Sequence, residues 1–559
     1  MIRKNVIIIV LSIAFIISGS FNLYALISIN FGVKRIDKTL PNSLIFGTTY
    51  GPQEIDPLCA IERVSQDVLM QIYEPLFMYN FSDPELPIIP LLAANFGIWS
   101  DNNYTIPLRQ NISFHDGTKF NATSVKWNFD RLMYFINATG NLPIDISISP
   151  VRDLYFWDDN TPIINRTEII DEWTIKFVLN KQYGPFLDIL TLTSSSIVAP
   201  HLVPKYDYHD IEHATGFNVI GTGPWVFQYY VPVIETKFVR NDDYWRGPGA
   251  IETLIFSVIQ DSDARNNALL AGDINFLQGL RPNYYDMIRD DPNLHLIGTE
   301  LRYFNYFLTM NNKLINRTWR QAISWSIDYA TMLSLLNDDG SIPIVVRSKS
   351  PLPCGMKYFN DSFKLPYFNI TKARTILQAM GIGTSLDLLS DNAWRNAELF
   401  TLNFTYSLNN IFQRDMFPLL QDNLDLIGIT VEDEGFVEIG CMCCDLPEWE
   451  KQMLYFQKVA PEYNDPSCVV HSLMSNISNY NTAHVNDTYL ENLLKQGLEE
   501  IDSNIRKQIY NEIQRYVIED LMPYVWCYQG INYYAMANYI HDFPCNMFGY
   551  TYFYPCRIN

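Results

Sequence analysis

The sequence predicts an α/β protein of several domains, and three observations support that fold class. The chain has 559 residues, of which 48% are hydrophobic, so it can bury a large core. Residues 43–50 and 174–179 alternate polar and apolar side chains, as half-buried strands do. Apolar residues recur at helical spacing up to Ile427, and Gly428 is followed at once by the strand-like segment Ile429–Glu432. A helix, a glycine stop and a strand in direct succession are typical of α/β folds.

Strands and one helix are predicted in the first half of the chain. Tyr104–Arg109 and Thr236–Arg240 alternate as strands do. His115–Gly117 predicts a turn, and Asn121 is positioned to cap the helix that follows. Four apolar residues give that helix one buried face, at positions Val125, Phe129, Leu132 and Ile136.

Helices dominate beyond residue 305. Their apolar spacing, caps and stops predict one helix from Thr318 through Leu333, one from a cap at Thr371 to Gly381, one through 419–427, and two over 488–521 that end before Pro523.

The N-terminus carries an export or anchoring signal. Arg3 and Lys4 precede an apolar run, Val6–Phe31, which is long enough to span a bilayer with some tilt. Residues 1–35 are therefore either an uncleaved membrane anchor or a signal peptide cleaved after Ser20. Lysines and arginines flank the run on both sides, so the positive-inside rule leaves its orientation open.

Twelve Asn-x-Ser/Thr sequons favour an extracellular, glycosylated body. An Asn-rich composition is the alternative explanation. The candidate sites are Asn80, Asn103, Asn111, Asn121, Asn137, Asn165, Asn316, Asn360, Asn369, Asn403, Asn476 and Asn486. Forty Lys and Arg residues against 61 Asp and Glu residues give a net charge of −21, which excludes nucleic-acid binding as the main function.

The nine cysteines are unevenly placed, and in an extracellular protein such clusters favour disulfides. We expect Cys545 and Cys556 to bond across a turn, since ten residues separate them and Gly549 and Pro555 permit a reversal. We also expect one of Cys441, Cys443 and Cys444 to bond a distant cysteine such as Cys468. A thiolate metal site among these cysteines has no recognised spacing, so we predict neither a metal nor a cofactor.

No recognised nucleophile, metal-protease or nucleotide-binding motif occurs, which favours a binding protein over an enzyme. Several segments, in order over about residues 43–545, instead resemble the family 5 extracellular solute-binding proteins of ABC importers, the oligopeptide, dipeptide and nickel binders. These segments are the stretch 105–125 with its His-Asp-Gly, Gly221–Pro224 followed by 240–247, 268–274, 309–312, 372–381, Pro461–Pro466 and 479–481.

The resemblance implies a two-lobed periplasmic-binding-protein-like fold of the class II type, with a third, inserted α+β domain. Mapped here, the first lobe comprises residues 40–70, 206–305 and 525–559. The inserted domain comprises 71–205 and the second lobe 306–524. The chain crosses between lobes near 303–308 and 524–531, and a solute binds between the lobes as they close.

The resemblance also implies a function and a binding residue. In peptide-binding members, the acidic residue at the position of Glu462 pairs with the peptide's α-ammonium group. Tyr463, Asn464, Tyr50 and Trp449 are further ligand-binding candidates. The chain departs from the family at Val459, where a tryptophan is usual, and by a shorter segment before Pro461; both put the substrate class in doubt.

The expectation is therefore a monomeric receptor at the cell surface that captures short peptides and delivers them to an ABC permease. The alternatives left open are an oligosaccharide stacked on aromatic rings, a metal chelate or another solute, and a secreted hydrolase or sensory ectodomain of the same fold.

Overall fold

A computed structural model describes residues 42–142, 148–157, 159–299, 304–337, 342–408, 410–436 and 450–559. It is a mixed α/β structure built around three larger sheets. In this part of the chain, the α-helices of five or more residues are Arg63–Ile72, Ala122–Phe135, Ser262–Leu270, Tyr285–Arg289, Arg317–Ser326, Tyr329–Asn337, Ile370–Ala379, Asp391–Arg395, Ile411–Asp425, Ser467–Met474, Thr488–Glu499 and Ser503–Arg515, the last of which continues into the π-helix Tyr516–Leu521.

The first sheet has seven strands and belongs to the first lobe. Their order across the sheet is Leu294–Gly298, Tyr533–Ala537, Phe276–Gln278, Ser43–Thr48, Thr253–Val258, Glu235–Arg240 and Trp225–Val231. The first strand in the chain, Ser43–Thr48, lies at the centre and is parallel to both of its neighbours. Every residue of this strand is buried, which accounts for its mostly apolar sequence.

The second sheet has six strands and forms the second lobe. Their order is Val345–Arg347, Tyr524–Gly530, Asn305–Met310, Leu454–Val459, Phe400–Ser407 and Ile429–Phe436. The last two strands are parallel and are joined by helix Ile411–Asp425, as the glycine stop at Gly428 predicts. Gly428 has a φ of +77°, a left-handed conformation that disfavours residues with a Cβ.

A third sheet, entirely antiparallel, lies within the segment predicted as the inserted domain. Its strands are Ile98–Ser100, Asn103–Pro107, Thr174–Leu179 and Ile164–Asp171. Helix Ala122–Phe135 begins at Asn121, which caps it in a capping box with Ser124 and so confirms that prediction. Val125, Phe129 and Leu132 are buried in the same core as this sheet.

The two lobes are connected by short crossings. Strand Tyr524–Gly530 pairs in the second sheet, and only Ile531 and Asn532 separate it from Tyr533–Ala537 in the first sheet. Residues 524–530 therefore pair in the sheet of the second lobe, and the exact lobe boundaries stay predictions. The amide of Thr299, just after the strand Leu294–Gly298 of the first sheet, donates to the carbonyl of Asn532 in this connection at 3.1 Å.

Two helix predictions were wrong in detail. The single helix expected from Thr318 through Leu333 is two helices, because Ile327 is extended and the side chain of Asp328 accepts a hydrogen bond from the amide of Thr331 at the start of the second. The helix expected to begin at Thr371 is capped by Asn369, whose side chain accepts from the amide of Lys372. In both cases a short polar side chain at another position than the one predicted, Asp328 or Asn369, caps the start of the helix.

Candidate functional site

A cavity lies where the two lobes and the inserted domain meet. Helix Arg63–Ile72 and the residues that follow it, through Phe81, form one wall. Residues 191–196 form a second wall, Tyr550 and Tyr552 a third, and Glu462 of the second lobe a fourth. The space not filled by protein atoms is about 550 Å³, its open mouth included. We call this space the central cavity.

Glu74 holds one wall of the central cavity together. Its carboxylate accepts hydrogen bonds from the Thr222 hydroxyl at 2.7 Å, the Tyr244 hydroxyl at 2.5 Å and Trp245 Nε1 at 2.9 Å. Burial raises the pKa of Glu74, and the three donors oppose that rise. Thr222 belongs to the Gly221–Pro224 motif and Tyr244 and Trp245 to the 240–247 motif, so these two segments meet at a buried carboxylate.

His115 has a related structural role. Its Nε2 lies 2.9 Å from the carbonyl oxygen of Gly223, and its backbone amide donates to the carbonyl of Gly221. Burial lowers the pKa of His115 to about 4, so the ring is neutral at pH 7. These contacts of His115 hold the Gly221–Pro224 loop in place, which is a structural role.

Glu462 is the other acidic residue that lines the central cavity, and its carboxylate lacks the protein donors that surround Glu74 in the described residues. The side chain is accessible to solvent, yet protein surrounds it closely enough that burial raises the pKa of its carboxyl above the usual 4.5. The side chain is both accessible to solvent and closely surrounded by protein because its carboxylate projects into a narrow space. Within the described part of the chain, no donor lies within hydrogen-bonding distance of the Glu462 carboxylate.

Arg63 faces Glu462 from the first lobe. Its positive charge lowers the pKa of Glu462, in part offsetting the effect of burial. The guanidinium lies 4.4 Å from the centre of the Tyr550 ring and donates to the carbonyl oxygen of Phe548. Tyr50 is 39% exposed near the start of the same helix, where burial, Glu62 and Asp67 raise the pKa of its hydroxyl and Arg63 lowers it. Tyr50 therefore lies near Arg63, but it is not among the residues that line the central cavity, so its role in ligand binding stays a prediction.

Tyr463 and Asn464 turn away from the central cavity and into the protein. Tyr463 is 5% exposed, with its hydroxyl 3.4 Å from that of Tyr183. The Asn464 side chain accepts a hydrogen bond from the amide of Lys357 at 2.8 Å. The Asn464 amide donates to the hydroxyl of Tyr79, also at 2.8 Å. Their polar atoms are occupied by protein partners, so a role for these two residues in ligand contact stays a prediction.

Asp465 fixes the base of the Glu462 loop. Its carboxylate is fully buried and forms a bidentate ion pair with Arg506, at 2.6 and 2.9 Å. Burial alone would raise the pKa of Asp465, but the charges of Arg506 and Lys357 hold it below its usual value. A buried, paired carboxylate of this kind positions the loop that carries Glu462.

Trp449 and the candidate cysteines Cys441, Cys443 and Cys444 lie outside the described residues. Cys545, Cys556 and Cys468 carry free thiols in the structure, so neither predicted disulfide is shown. Burial raises the pKa of the Cys545 thiol to about 11, and Cys468 donates to the carbonyl of Tyr463 at 3.2 Å. The disulfides therefore stay predictions of the sequence alone.

Several predicted glycosylation sites have a structural use for their asparagine. Asn121, Asn316 and Asn369 are helix caps. Asn403 has both ends of its amide engaged, with Nδ2 donating to the carbonyl of Lys451 and Oδ1 accepting from the amide of Met453. Helix capping thus explains part of the sequon excess without invoking glycans, and use of any of the twelve sites stays a prediction.

The predicted N-terminal anchor, 1–35, also lies outside the described residues. Among the residues that are described, no helix combines the length and hydropathy needed to cross a bilayer. In the same residues, no cluster of three or more His, Cys, Asp or Glu side chains is arranged to hold a metal ion.

The aromatic and sulfur-containing lining of the cavity escaped sequence reasoning. Met70 and Tyr79 lie in one segment and Tyr552 near the other end of the chain, and nothing in their local sequence marks them as neighbours. The run Tyr550–Tyr554, with four aromatic residues in five, was the one available signal.

Two lobes, with a cavity between them lined by a carboxylate that has no hydrogen-bond donor among the described residues, are the architecture expected of a solute-binding protein. The model of the bacterial extracellular solute-binding proteins, family 5 (middle), matches residues 87–466. The chain belongs to this family.

Relatives are distant in sequence but match along nearly their whole length. Di/tripeptide-binding protein 2 of Pseudomonas aeruginosa is 24% identical over 515 residues, which are 90% of this chain and 92% of that protein. Heme-binding protein A of Haemophilus influenzae is 22% identical, over 93% of this chain and 92% of its own.

Solved structures share the fold. HbpA2 from Haemophilus parasuis superposes with a TM-score of 0.77 at 21% identity, covering 93% of this chain and all of that one. DppA from Helicobacter pylori, in complex with the peptide STSA, superposes with a TM-score of 0.70 at 20% identity, covering 92% of this chain and 98% of its own.

Proposed function

We propose that this protein is the extracellular receptor of an ABC importer, and that it captures short peptides in the central cavity by closure of its two lobes. The observation that carries the proposal is the Glu462 carboxylate, which has no hydrogen-bond donor among the described residues. Burial disfavours the charged form of this carboxylate and the charge of Arg63 offsets that only in part, so a positively charged ligand group would stabilise it further.

Glu462 accepts the α-ammonium group of the bound peptide. Of the two carboxylates that line the central cavity, Glu74 already accepts three hydrogen bonds from the protein. Glu462 is therefore the carboxylate free to compensate the water that an ammonium group loses on binding. Relatives named for di/tripeptides, D,D-dipeptides and glutathione support an amino-acid-containing ligand.

The receptor works outside the cell, as a monomer that is anchored by residues 1–35 or secreted after their cleavage. Its permease partner recognises the closed, loaded form. The short connection Ile531–Asn532 between the two sheets supports hinge closure, because a large rotation can be absorbed by a few backbone angles there.

Calorimetric titration of Glu462→Gln with a tripeptide tests the proposal. Removing one partner of a desolvated charge pair costs about 2–5 kcal/mol of binding free energy. Glu462→Asp should retain part of the affinity, since it keeps the charge.

Glu432→Gln is the matched control, because Glu432 is an exposed carboxylate of the same lobe. Equal affinity of Glu462→Gln and the control would refute the role of Glu462. Failure of every peptide to bind, with binding of an oligosaccharide instead, would replace the proposed ligand class.

A further inference from the structure

The asparagines of the twelve sequons differ in what their side-chain amides contact. Five of them donate a hydrogen bond from Nδ2 to another protein atom: Asn103, Asn165, Asn360, Asn369 and Asn403. Four others accept a backbone hydrogen bond at Oδ1, which fixes the plane of the amide: Asn80, Asn121, Asn137 and Asn316. Attachment of a glycan replaces a proton of Nδ2 with a bulky sugar, so a glycan would break or crowd the contacts of these nine amides.

The remaining three sequon asparagines are Asn111, Asn476 and Asn486. Each is exposed and lies between helices or strands rather than within one. Within the part of the chain that the structure describes, none of the three side chains makes a hydrogen bond to the protein. A glycan attached to any of these amides therefore costs the fold no existing contact.

Asn476 and Asn486 line the same recess of the second lobe. This recess is formed by the loop between helices Ser467–Met474 and Thr488–Glu499, together with Lys313 and Glu450. The space not filled by protein atoms is about 1050 Å³, its open mouth included. We call it the loop recess.

The loop recess is lined mostly by polar side chains. Two of them, Asn479 and His484, make no side-chain hydrogen bond to any of the described residues. Burial and the charge of Lys313 lower the pKa of His484, so its ring is neutral at pH 7 and offers one donor and one acceptor. Amide and imidazole groups, which both donate and accept, are suited to the hydroxyl groups of a sugar.

The loop recess lies at the other end of the second sheet from Glu462. Strands Asn305–Met310 and Leu454–Val459 pair antiparallel along six residues. Glu462 follows one end of this pairing and Lys313 follows the other. Six strand residues span about 17 Å, so the loop recess is separate from the central cavity.

We propose that the protein is N-glycosylated at Asn111, Asn476 and Asn486, and that the loop recess holds the first sugars of the two glycans attached at its edge. In each case Nδ2 attacks C1 of the first sugar of a lipid-linked oligosaccharide. The bond from C1 to the lipid phosphate breaks, a bond from C1 to Nδ2 forms, Nδ2 loses one proton, and the phosphate leaves on its lipid. The proposal requires export of the chain, and it does not depend on which solute the central cavity binds.

Glycopeptide mass spectrometry of the protein purified from its own cells tests the choice of sites. We expect glycans at Asn111, Asn476 and Asn486. The five asparagines whose Nδ2 donates to the protein carry the same sequon and are the matched controls, and we expect no glycan on them. Glycans on Asn360 or Asn403, or none on Asn476 and Asn486, would overturn the proposal.

Enzymatic release of the glycans from the folded protein tests the loop recess. Release at Asn476 and Asn486 should be about tenfold slower than at Asn111, a factor that one or two net hydrogen bonds supply. After denaturation the three rates should be equal. Asn479→Ala removes an amide from the recess without altering a sequon, and it should speed release at Asn476 and Asn486 by about threefold. Equal rates at the three sites of the folded parent, or rates unchanged by Asn479→Ala, would overturn the role of the recess.

Discussion

Glu462 and Asp465 lie three residues apart in one loop, yet their surroundings are opposite. Asp465 is fully buried and bound by both terminal nitrogens of Arg506, whose charge holds its pKa low. Glu462 projects into the central cavity, where burial raises its pKa and no donor in the described residues reaches it. The difference separates two uses of a carboxylate: one holds the loop in place, and the other is left available to a ligand.

Glu74 extends this comparison to the opposite wall. Like Asp465 it is buried and saturated with donors, but its donors are neutral hydroxyl and indole groups. Its contribution is to join segments distant in sequence into one cavity wall. Lining the same cavity therefore does not by itself make a carboxylate available to a ligand. The number of hydrogen bonds that it already accepts from the protein decides whether it is available.

The largest expected effect comes from breaking the Asp465–Arg506 pair. Arg506→Met leaves the Asp465 carboxylate buried with only Lys357, at 4.0 Å, as a charged partner. Removing one partner of a buried pair typically costs about 3–5 kcal/mol. Urea denaturation should show a loss of this size in the free energy of unfolding.

Glu462→Gln is the comparison for that measurement. Because the Glu462 carboxylate has no donor to lose among the described residues, its replacement should leave stability nearly unchanged. A large destabilisation by Glu462→Gln, or none by Arg506→Met, would mean that the two roles have been assigned the wrong way round.

An intermediate effect is expected from Tyr79→Phe. The Tyr79 hydroxyl joins the inserted domain to the Glu462 loop, through Asp188 on one side and the amide of Asn464 on the other. Its removal leaves two buried polar groups unpaired, which costs about 1–3 kcal/mol. Thermal unfolding measures the loss, and Tyr206→Phe is the control, since Tyr206 is exposed and its hydroxyl has no hydrogen bond within the described residues. Equal melting temperatures of the two variants would show that this contact does not stabilise the loop.

The smallest expected effect is a pH dependence of peptide affinity. The pKa of Glu462 is raised in the free protein, so its carboxylate begins to take up protons at a higher pH than an ordinary glutamate. The peptide's ammonium group stays protonated below neutrality, so affinity should fall as the pH drops from 7 towards that raised pKa. The fall approaches about tenfold per pH unit once the pH is below the pKa.

Titrations of the parent and of Glu462→Gln at several pH values between 5 and 7.5 measure this dependence. The variant lacks the titrating group, so its weaker affinity should be nearly independent of pH. Parallel profiles in the two proteins would assign the dependence to another group.

Much of the fold could be predicted from sequence, because the starts and ends of several helices are marked by single residues. Asn121 as a cap and Gly428 as a stop each depend on one residue and its neighbours, and both are in the structure. The helix break at Ile327 was missed because its apolar periodicity continues through the break, and only the competing cap at Asp328 interrupts the helix.

The candidate site was predictable only in part. Glu462 could be singled out from its motif, whereas the burial of Tyr463 and Asn464 depends on Tyr183 and Tyr79, nearly 300 and 400 positions away along the chain. Arg63 carried no local signal at all. A cavity assembled from segments that are distant in sequence is a property of tertiary packing, which no single stretch of sequence records.

The most direct test of the account compares a tripeptide with its N-acetylated form on both the parent and Glu462→Gln. Acetylation removes the ammonium charge, and Glu462→Gln removes the charge that we propose it pairs with. Acetylation should therefore weaken binding to the parent by about 2–5 kcal/mol and change binding to Glu462→Gln by much less. An equal loss in both proteins, or tight binding of the acetylated peptide to the parent, would contradict the assignment of Glu462 as the ammonium acceptor.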